Sequence, residues 1–184
     1  MKLPNTPVSL AGHPCLPYLA AGLVFGGVAT VNCVTSSLSE VVALPGSIRA
    51  VTYSSIDTSA SCSLYAGSDE GKVYELRAEA KPSLFAHCIL PENKPVSRIA
   101  SIGADSLVAV GDDEGGLHLF DFRSPSKNPI ASVLEQADYI SSIQKHQESS
   151  LVVASGDGTL CVYDLRMPPR ARIKLLAATP SFED

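Results

Sequence analysis

The stretch Val108-Ala109-Val110-Gly111-Asp112-Asp113-Glu114-Gly115-Gly116-Leu117-His118-Leu119-Phe120-Asp121 decides the fold. An apolar run enters an acidic turn that ends on glycine, and an alternating run leaves it. Period-two alternation marks a half-buried strand, and glycine supplies the positive φ that a tight hairpin requires. The pattern returns as Leu64-Tyr65-Ala66-Gly67-Ser68-Asp69-Glu70-Gly71 and as Leu151-Val152-Val153-Ala154-Ser155-Gly156-Asp157-Gly158, the latter followed by Thr159-Leu160-Cys161-Val162-Tyr163-Asp164. A weaker copy is Leu19-Ala20-Ala21-Gly22-Leu23-Val24-Phe25-Gly26-Gly27. The last glycines of the four turns, at 27, 71, 115 and 158, are spaced by 44, 44 and 43 residues.

Further strand candidates flank these hairpins. Upstream stand Ile48 to Tyr53, Val96 to Ile102 and Tyr139 to Ile143; downstream stand Val41 to Leu44, Ser83 to Leu90, Ile130 to Leu134 and Ile173 to Ala177. Proline-bearing connections (Pro45; Pro91 and Pro95) separate the units, and no helical period appears. Four antiparallel strands repeated at this spacing make one blade of a β-propeller per repeat. Blades are expected at about 6–46, 47–93, 94–136 and 137–180, with 181–184 as a tail.

Composition agrees with a folded chain and narrows its business. The 184 residues are 45% hydrophobic and 18% charged, with a formal net charge of −5, which argues against disorder and against a coat for nucleic acid. The five cysteines (15, 33, 62, 88 and 161) include no C-x-x-C pair, so reduced and mostly buried thiols are expected rather than a zinc or redox site. The apolar stretch from Leu16 to Val34 approaches a membrane-spanning length, but Pro17, Gly22, Gly26, Gly27 and Asn32 interrupt it. A buried hairpin is expected there, with a membrane helix as the alternative.

The repeats resemble those of the WD-repeat superfamily over about residues 12–180. There is no Trp; Phe120-Asp121 and Tyr163-Asp164 stand where the Trp-Asp dipeptide would, and Gly-His occurs only as Gly12-His13. The buried Asp–His–Ser/Thr–Trp network of many blades is therefore expected to be incomplete. Asp138-Tyr139-Ile140-Ser141, Ser155 to Leu160 and Val162 to Arg166, with His13-Pro14 and Leu19 to Gly22, resemble the WD repeat-containing protein 55 family. That resemblance implies a nuclear or nucleolar protein of ribosome biogenesis and rRNA processing, with the cytoplasm left open. Plant members of the family are similar to substrate receptors that dock on the DNA-damage-binding adaptor of cullin-4 ubiquitin ligases. The fold expected is all-β: a WD-repeat propeller of about four four-stranded antiparallel blades, an incomplete ring. A seven-bladed ring needs about 300 residues, so a truncated product is expected, with completion by a second copy as the alternative.

Two loop faces should differ in charge. The turns between second and third strands collect Asp69, Glu70, Asp112, Asp113, Glu114 and Asp157. The opposite loops collect Arg77 with Lys81, Arg123 with Lys127, and Arg166 with Arg170, extended by Arg172 and Lys174. The basic rim either docks an acidic protein surface or RNA backbone, or consists of solvated loops whose arginines pair with neighbouring carboxylates. Phe120-Asp121-Phe122-Arg123 and Tyr163-Asp164-Leu165-Arg166 resemble the Trp-Asp-x-Arg box of cullin-4 receptors; their arginines are 43 residues apart. Tyr74-Glu75-Leu76-Arg77 is out of register with them, its arginine six residues after its glycine rather than eight. The candidate protein-binding residues are thus Asp121, Arg123, Lys127, Asp164, Arg166 and Arg170.

No chemistry is foreseen. Asp112-Asp113-Glu114-Gly115 lacks the alternating ligands and distal Glu of an EF-hand. Hydrolase elbows, phosphate loops and zinc-protease motifs are missing, and His87, His118 and His146 have no repeated acid partner. A non-enzymatic interaction scaffold without cofactor, metal, small-molecule substrate or membrane attachment is expected. Its partners would be proteins, either pre-ribosomal factors or the cullin-4 adaptor, and RNA contact has only weak support.

Overall fold

A computed structural model describes residues 2–54, 62–77, 83–103, 107–147, 149–165 and 174–178. Among the described residues, sixteen strands form four antiparallel sheets, each a meander of four consecutive strands. The first blade holds β1 (Pro7–Gly12), β2 (Tyr18–Leu23), β3 (Val28–Asn32) and β4 (Ser37–Val42). The second holds β5 (Ile48–Tyr53), β6 (Ser63–Ser68), β7 (Lys72–Arg77) and β8 (Ser83–Ile89). The third holds β9 (Val96–Ile102), β10 (Leu107–Asp112), β11 (Gly116–Asp121) and β12 (Ala131–Leu134), and the fourth β13 (Ile140–His146), β14 (Ser150–Ser155), β15 (Leu160–Asp164) and β16 (Lys174–Ala178). The only helical turn among the described residues is a 3₁₀ turn, Pro91–Asn93, between the second and third blades. The four blades of the described residues form an unclosed ring.

The anchor glycines behave as their spacing requires. Gly27, Gly71, Gly115 and Gly158 all have positive φ, between 72° and 96°, a region in which a Cβ would be strained. Each first strand carries an irregularity near its start: the register shifts between Pro7 and Ser9, between Ile48 and Ala50, and between Ile140 and Ser142, while in the third blade it shifts opposite Gly111 and Asp112. Such a bulge bends the strand and re-aims a side chain. The apolar stretch 16–34 folds into the β2–β3 hairpin, and among the described residues no helix is long and apolar enough to cross a membrane.

Successive blades pack face to face, and each joint has a core of its own. Between the first and second blades, Ala11, Ala20 and Val28 meet Ile48, Val51, Tyr53, Leu64 and Leu76. Between the second and third, Ala50, Tyr65 and Val73 meet Val96, Ile99, Val110 and Phe120. Between the third and fourth, Ala100, Ala109 and Leu117 meet Ile140, Ile143, Leu151 and Tyr163. The downstream face of one blade, where alanines stand beside Tyr65, Val73 and Leu117, thus receives the upstream face of the next. The tightest fit recurs at one point. A Cβ on Gly22 would lie 2.5 Å from the Ile48 carbonyl oxygen, one on Gly67 would collide with Val96, and one on Gly111 would lie 2.5 Å from Ile140 Cβ. A glycine socket on the second strand therefore holds the branched residue that opens the next blade, and Ile48, Val96 and Ile140 are all fully buried.

The first strands are the innermost. β1 neighbours β5, β5 neighbours β9, and β9 neighbours β13. Together they line an open cavity of about 410 Å³ that includes Leu10, Val51, Ile99 and Ile143.

Candidate interaction faces and a buried polar network

The face of acidic turns is largely consumed by the protein's own bonds. Each turn between second and third strands lies against the connection that enters its blade. Asp69 N–H donates to the Ser47 carbonyl (3.0 Å), Asp113 N–H to that of Pro95 (3.2 Å), and Gly156 N–H to that of Tyr139 (2.9 Å). The carboxylates reinforce these ties. Asp69 accepts from Ser47 N–H at 2.8 Å, Glu114 pairs with Lys94 at 2.7 Å, and Asp113 pairs with Arg49 of the preceding blade. Asp157 accepts from Ala137 N–H (2.7 Å), Thr159 N–H (2.8 Å) and the Thr159 hydroxyl (2.6 Å). Partial burial alone would raise the Asp157 pKa; these bonds outweigh it and hold the carboxyl at about 2. Carboxylates spent in this way tie each turn to the connection that enters its blade, and Asp113 ties its turn to the preceding blade.

His118 is buried and does have an acid partner: its Nε2 lies 2.9 Å from Asp112 Oδ2, and its Nδ1 lies 2.9 Å from Ser132 Oγ. Asp112 is fully buried and also accepts at Oδ1 from Glu114 N–H (2.9 Å) and Gly116 N–H (2.7 Å). Burial would raise its pKa, but the bond from His118 and those from the two amides prevail and keep it below the ordinary value. An ionised Asp112 accepts, so His118 Nε2 carries the proton. An Asp–His–Ser network thus exists, without tryptophan and with its histidine on the third strand rather than after a Gly-His pair. Its signal was available: Val110 stands opposite His118, and Asp112, two residues beyond Val110, shares that strand face. Gly116 makes the contact possible, since a Cβ there would collide with Asp112 and lie 2.8 Å from His118 Nε2. Buried at Asp112 and His118 and reaching the surface at Ser132, the network pins β10, β11 and β12 together.

The basic face is only partly described. Asp121 closes β11, opposite Leu107, and Asp164 closes β15, opposite Ser150, so the two aspartates occupy the same place in consecutive blades. Arg77 stands opposite Ser63, which is the aspartate place and not the arginine one; the Tyr74–Arg77 string is out of register in space as well. Arg123 folds back on its own box. Its Nε lies 3.0 Å and its Nη2 3.2 Å from the two Asp121 oxygens, and its amide donates to Asp121 Oδ1 at 2.9 Å. These bonds, led by the guanidinium, lower the Asp121 pKa. Between them Phe122 is buried, and its ring meets Tyr65 of the preceding blade at 5.0 Å. The Lys127 carbonyl accepts from Ile89 N–H at 3.1 Å, which ties the Arg123–Lys127 loop to that same blade. Arg166 and Arg170 lie outside the described residues, as do Lys81 and Arg172. Arg123 and Lys127 therefore share one anchored loop.

Sheets of four meandering strands, repeated around a channel lined by their first strands, define a β-propeller. The β-propeller domain of Cps50 (Swd1) from Myceliophteria thermophila superposes with a TM-score of 0.75 at 14% identity, over 96% of this chain and 59% of that one. In sequence the chain is similar to WD repeat-containing protein 55 of Bos taurus, 26% identical over 94% of this chain and 44% of the relative. The Mus musculus protein of the same name is 28% identical, over 94% and 43%. An uncharacterised WD repeat-containing protein of Schizosaccharomyces pombe is 38% identical over 81 residues, 42% of this chain and 22% of the relative. The chain thus spans less than half the length of these relatives. No family model matches it.

Proposed function

We propose that the chain is a non-enzymatic protein-interaction scaffold of WD-repeat type, acting in nucleolar ribosome biogenesis. The observation that carries this reading is the similarity to WD repeat-containing protein 55 along 94% of the chain, together with the family resemblance that implies the nucleolar role. The internal use of the polar groups supports the scaffold half. His118 and Asp112, the pair best placed for acid–base work, are sealed in a blade, and the acidic turns serve as clamps. Partners then meet the loop faces, where Arg123 and Lys127 stand on a loop held by Phe122. The test is affinity purification of the tagged full-length protein. Enrichment of pre-ribosomal factors is expected, and a partner set devoid of them overturns the reading.

The two boxes favour a second reading, a substrate receptor docking on the cullin-4 adaptor. Asp121 and Asp164 occupy register-equivalent places, as docking by a repeated box requires. Here the double variant Arg123→Ala/Arg166→Ala loses adaptor capture; undiminished capture refutes it.

A further inference from the structure

On the acidic-turn face, the cations of the second and third blades are matched by carboxylates with one exception. Arg49 pairs with Asp113, Lys72 with Glu70 at 2.7 Å, and Lys94 with Glu114 at 2.7 Å. Arg98 is exposed. Its Nη1 donates to the Ser97 carbonyl at 2.6 Å, and among the described residues no carboxylate pairs with it.

That guanidinium stands in a cavity. About 490 Å³ at the inner rim of the face is bounded by Val8, Ser47, Arg49, Asp69 and Arg98. A further space of about 260 Å³ runs between the first strands, again bounded by Arg49 and Arg98, with Val51 and Ile99 in its apolar wall. Backbone irregularities aim both arginines. Arg49 is the extra residue where β5 shifts register between Ile48 and Ala50, and Arg98 follows the shift in β9. The Ser97 hydroxyl anchors that second shift on the Asp112 carbonyl at 3.1 Å. Both arginines belong to blades with a neighbour on either side, so the joints that hold them lie inside the chain.

Charge selects the occupant. A guanidinium recognises a carboxylate through paired N–H donors. A polyanion such as an RNA backbone would also lie across Asp69, Glu70, Asp113 and Glu114 of the surrounding turns, and like charges repel it. One carboxylate on an otherwise uncharged segment meets Arg98 without that cost. An aliphatic side chain beside it covers the wall of Val51 and Ile99, which removes apolar surface from water.

We infer that Arg98 captures the carboxylate of a partner protein's peptide segment, a glutamate or aspartate whose aliphatic neighbour enters between the first strands. The inference rests on the scaffold reading for the existence of a partner and not on the nucleolar role. A chain that enriches pre-ribosomal factors yet ignores the peptide fails here alone; one that binds the peptide without those factors fails there alone. The test is an NMR titration of the isotope-labelled full chain with a blocked peptide, Gly-Ser-Leu-Glu-Gly-Ser. The Arg98 side-chain N–H signal and the Val51 and Ile99 signals should shift and saturate. Peptides with Gln in place of the Glu, or Gly in place of the Leu, should each bind about tenfold more weakly. Arg98→Ala should weaken the parent peptide by a similar factor with Tm unchanged, since the side chain is exposed. An Arg98 signal unmoved at millimolar peptide overturns the inference. So does equal binding of the Gln peptide, or a short oligouridine that binds more tightly than the peptide.

Discussion

Replacing Gly111 by alanine puts the joint between the third and fourth blades under direct test. Two effects oppose each other. Alanine in a strand interior is favoured over glycine by about 0.5–1 kcal/mol, because less backbone entropy is lost on folding. Against that, the new methyl would lie 2.5 Å from Ile140 Cβ, 2.6 Å from its Cγ2 and 2.9 Å from its Cγ1. Ile140 is fully buried among Leu151, Tyr163 and Leu117, so it cannot swing away and the blades must part. Overpacking of this kind costs about 1–3 kcal/mol, which outweighs the propensity gain. The expected net loss is about 1–2 kcal/mol, read as a lower urea midpoint with unchanged slope, or as a fall in Tm of about 2–8 °C for a chain of this size. Ile140→Ala in the same chain should couple with it: the double variant should lose less than the sum of the singles, because the two Cγ contacts are gone. Ala154→Gly, at the equivalent position on the open face, should show only the small propensity effect in reverse. A neutral or stabilising Gly111→Ala refutes the socket account of blade packing.

Three further outcomes follow from the polar groups. His118→Ala strands the buried Asp112 carboxylate and should cost about 3 kcal/mol in denaturant unfolding; an effect under about 0.5 kcal/mol would mean the network holds nothing together. Asp157 has a folded pKa of about 2 against an ordinary 3.8. Its depressed value contributes stability that is present above pH 4 and lost as pH falls toward 2, so the stability profile of Asp157→Ala should be flatter across that window. Arg123→Ala removes an exposed ion pair and should change stability by no more than about 0.5 kcal/mol; a larger loss would assign Arg123 to the packing of its loop.

What could be read in advance followed the strength of the local pattern. Ile48–Tyr53 and Val96–Ile102 are strands over the residues expected, because each alternates between two packed faces. The fourth strand of the first blade was misplaced: expected at Val41–Leu44, it runs from Ser37 to Val42. Ser37, Ser39 and Glu40 give no apolar signal on an outermost strand paired along one edge only, and Leu44 lies beyond it in the joint core. The strand expected from Tyr139 to Ile143 continues to His146, where Gln144, Lys145 and His146 are exposed and the backbone pairing, not burial, sustains it. The joints were hidden for a different reason. Glycines 22, 67 and 111 were visible as a repeat, but their role depends on residues 26 to 29 positions away that only the stacked blades bring near. The Asp112–His118–Ser132 network was overlooked although the hairpin register contains its first two members. Of the six residues proposed for docking, Asp121 and Arg123 form one hydrogen-bonded unit, and Asp164 repeats the Asp121 place.

An experimental crystal structure of the chain tests the central claim most directly. It should show four four-stranded meanders around shared first strands, with Gly22, Gly67 and Gly111 seated on Ile48, Val96 and Ile140 and with His118 bridging Asp112 and Ser132. A strand exchanged between sheets, joints without these contacts, or an exposed His118 would contradict the account.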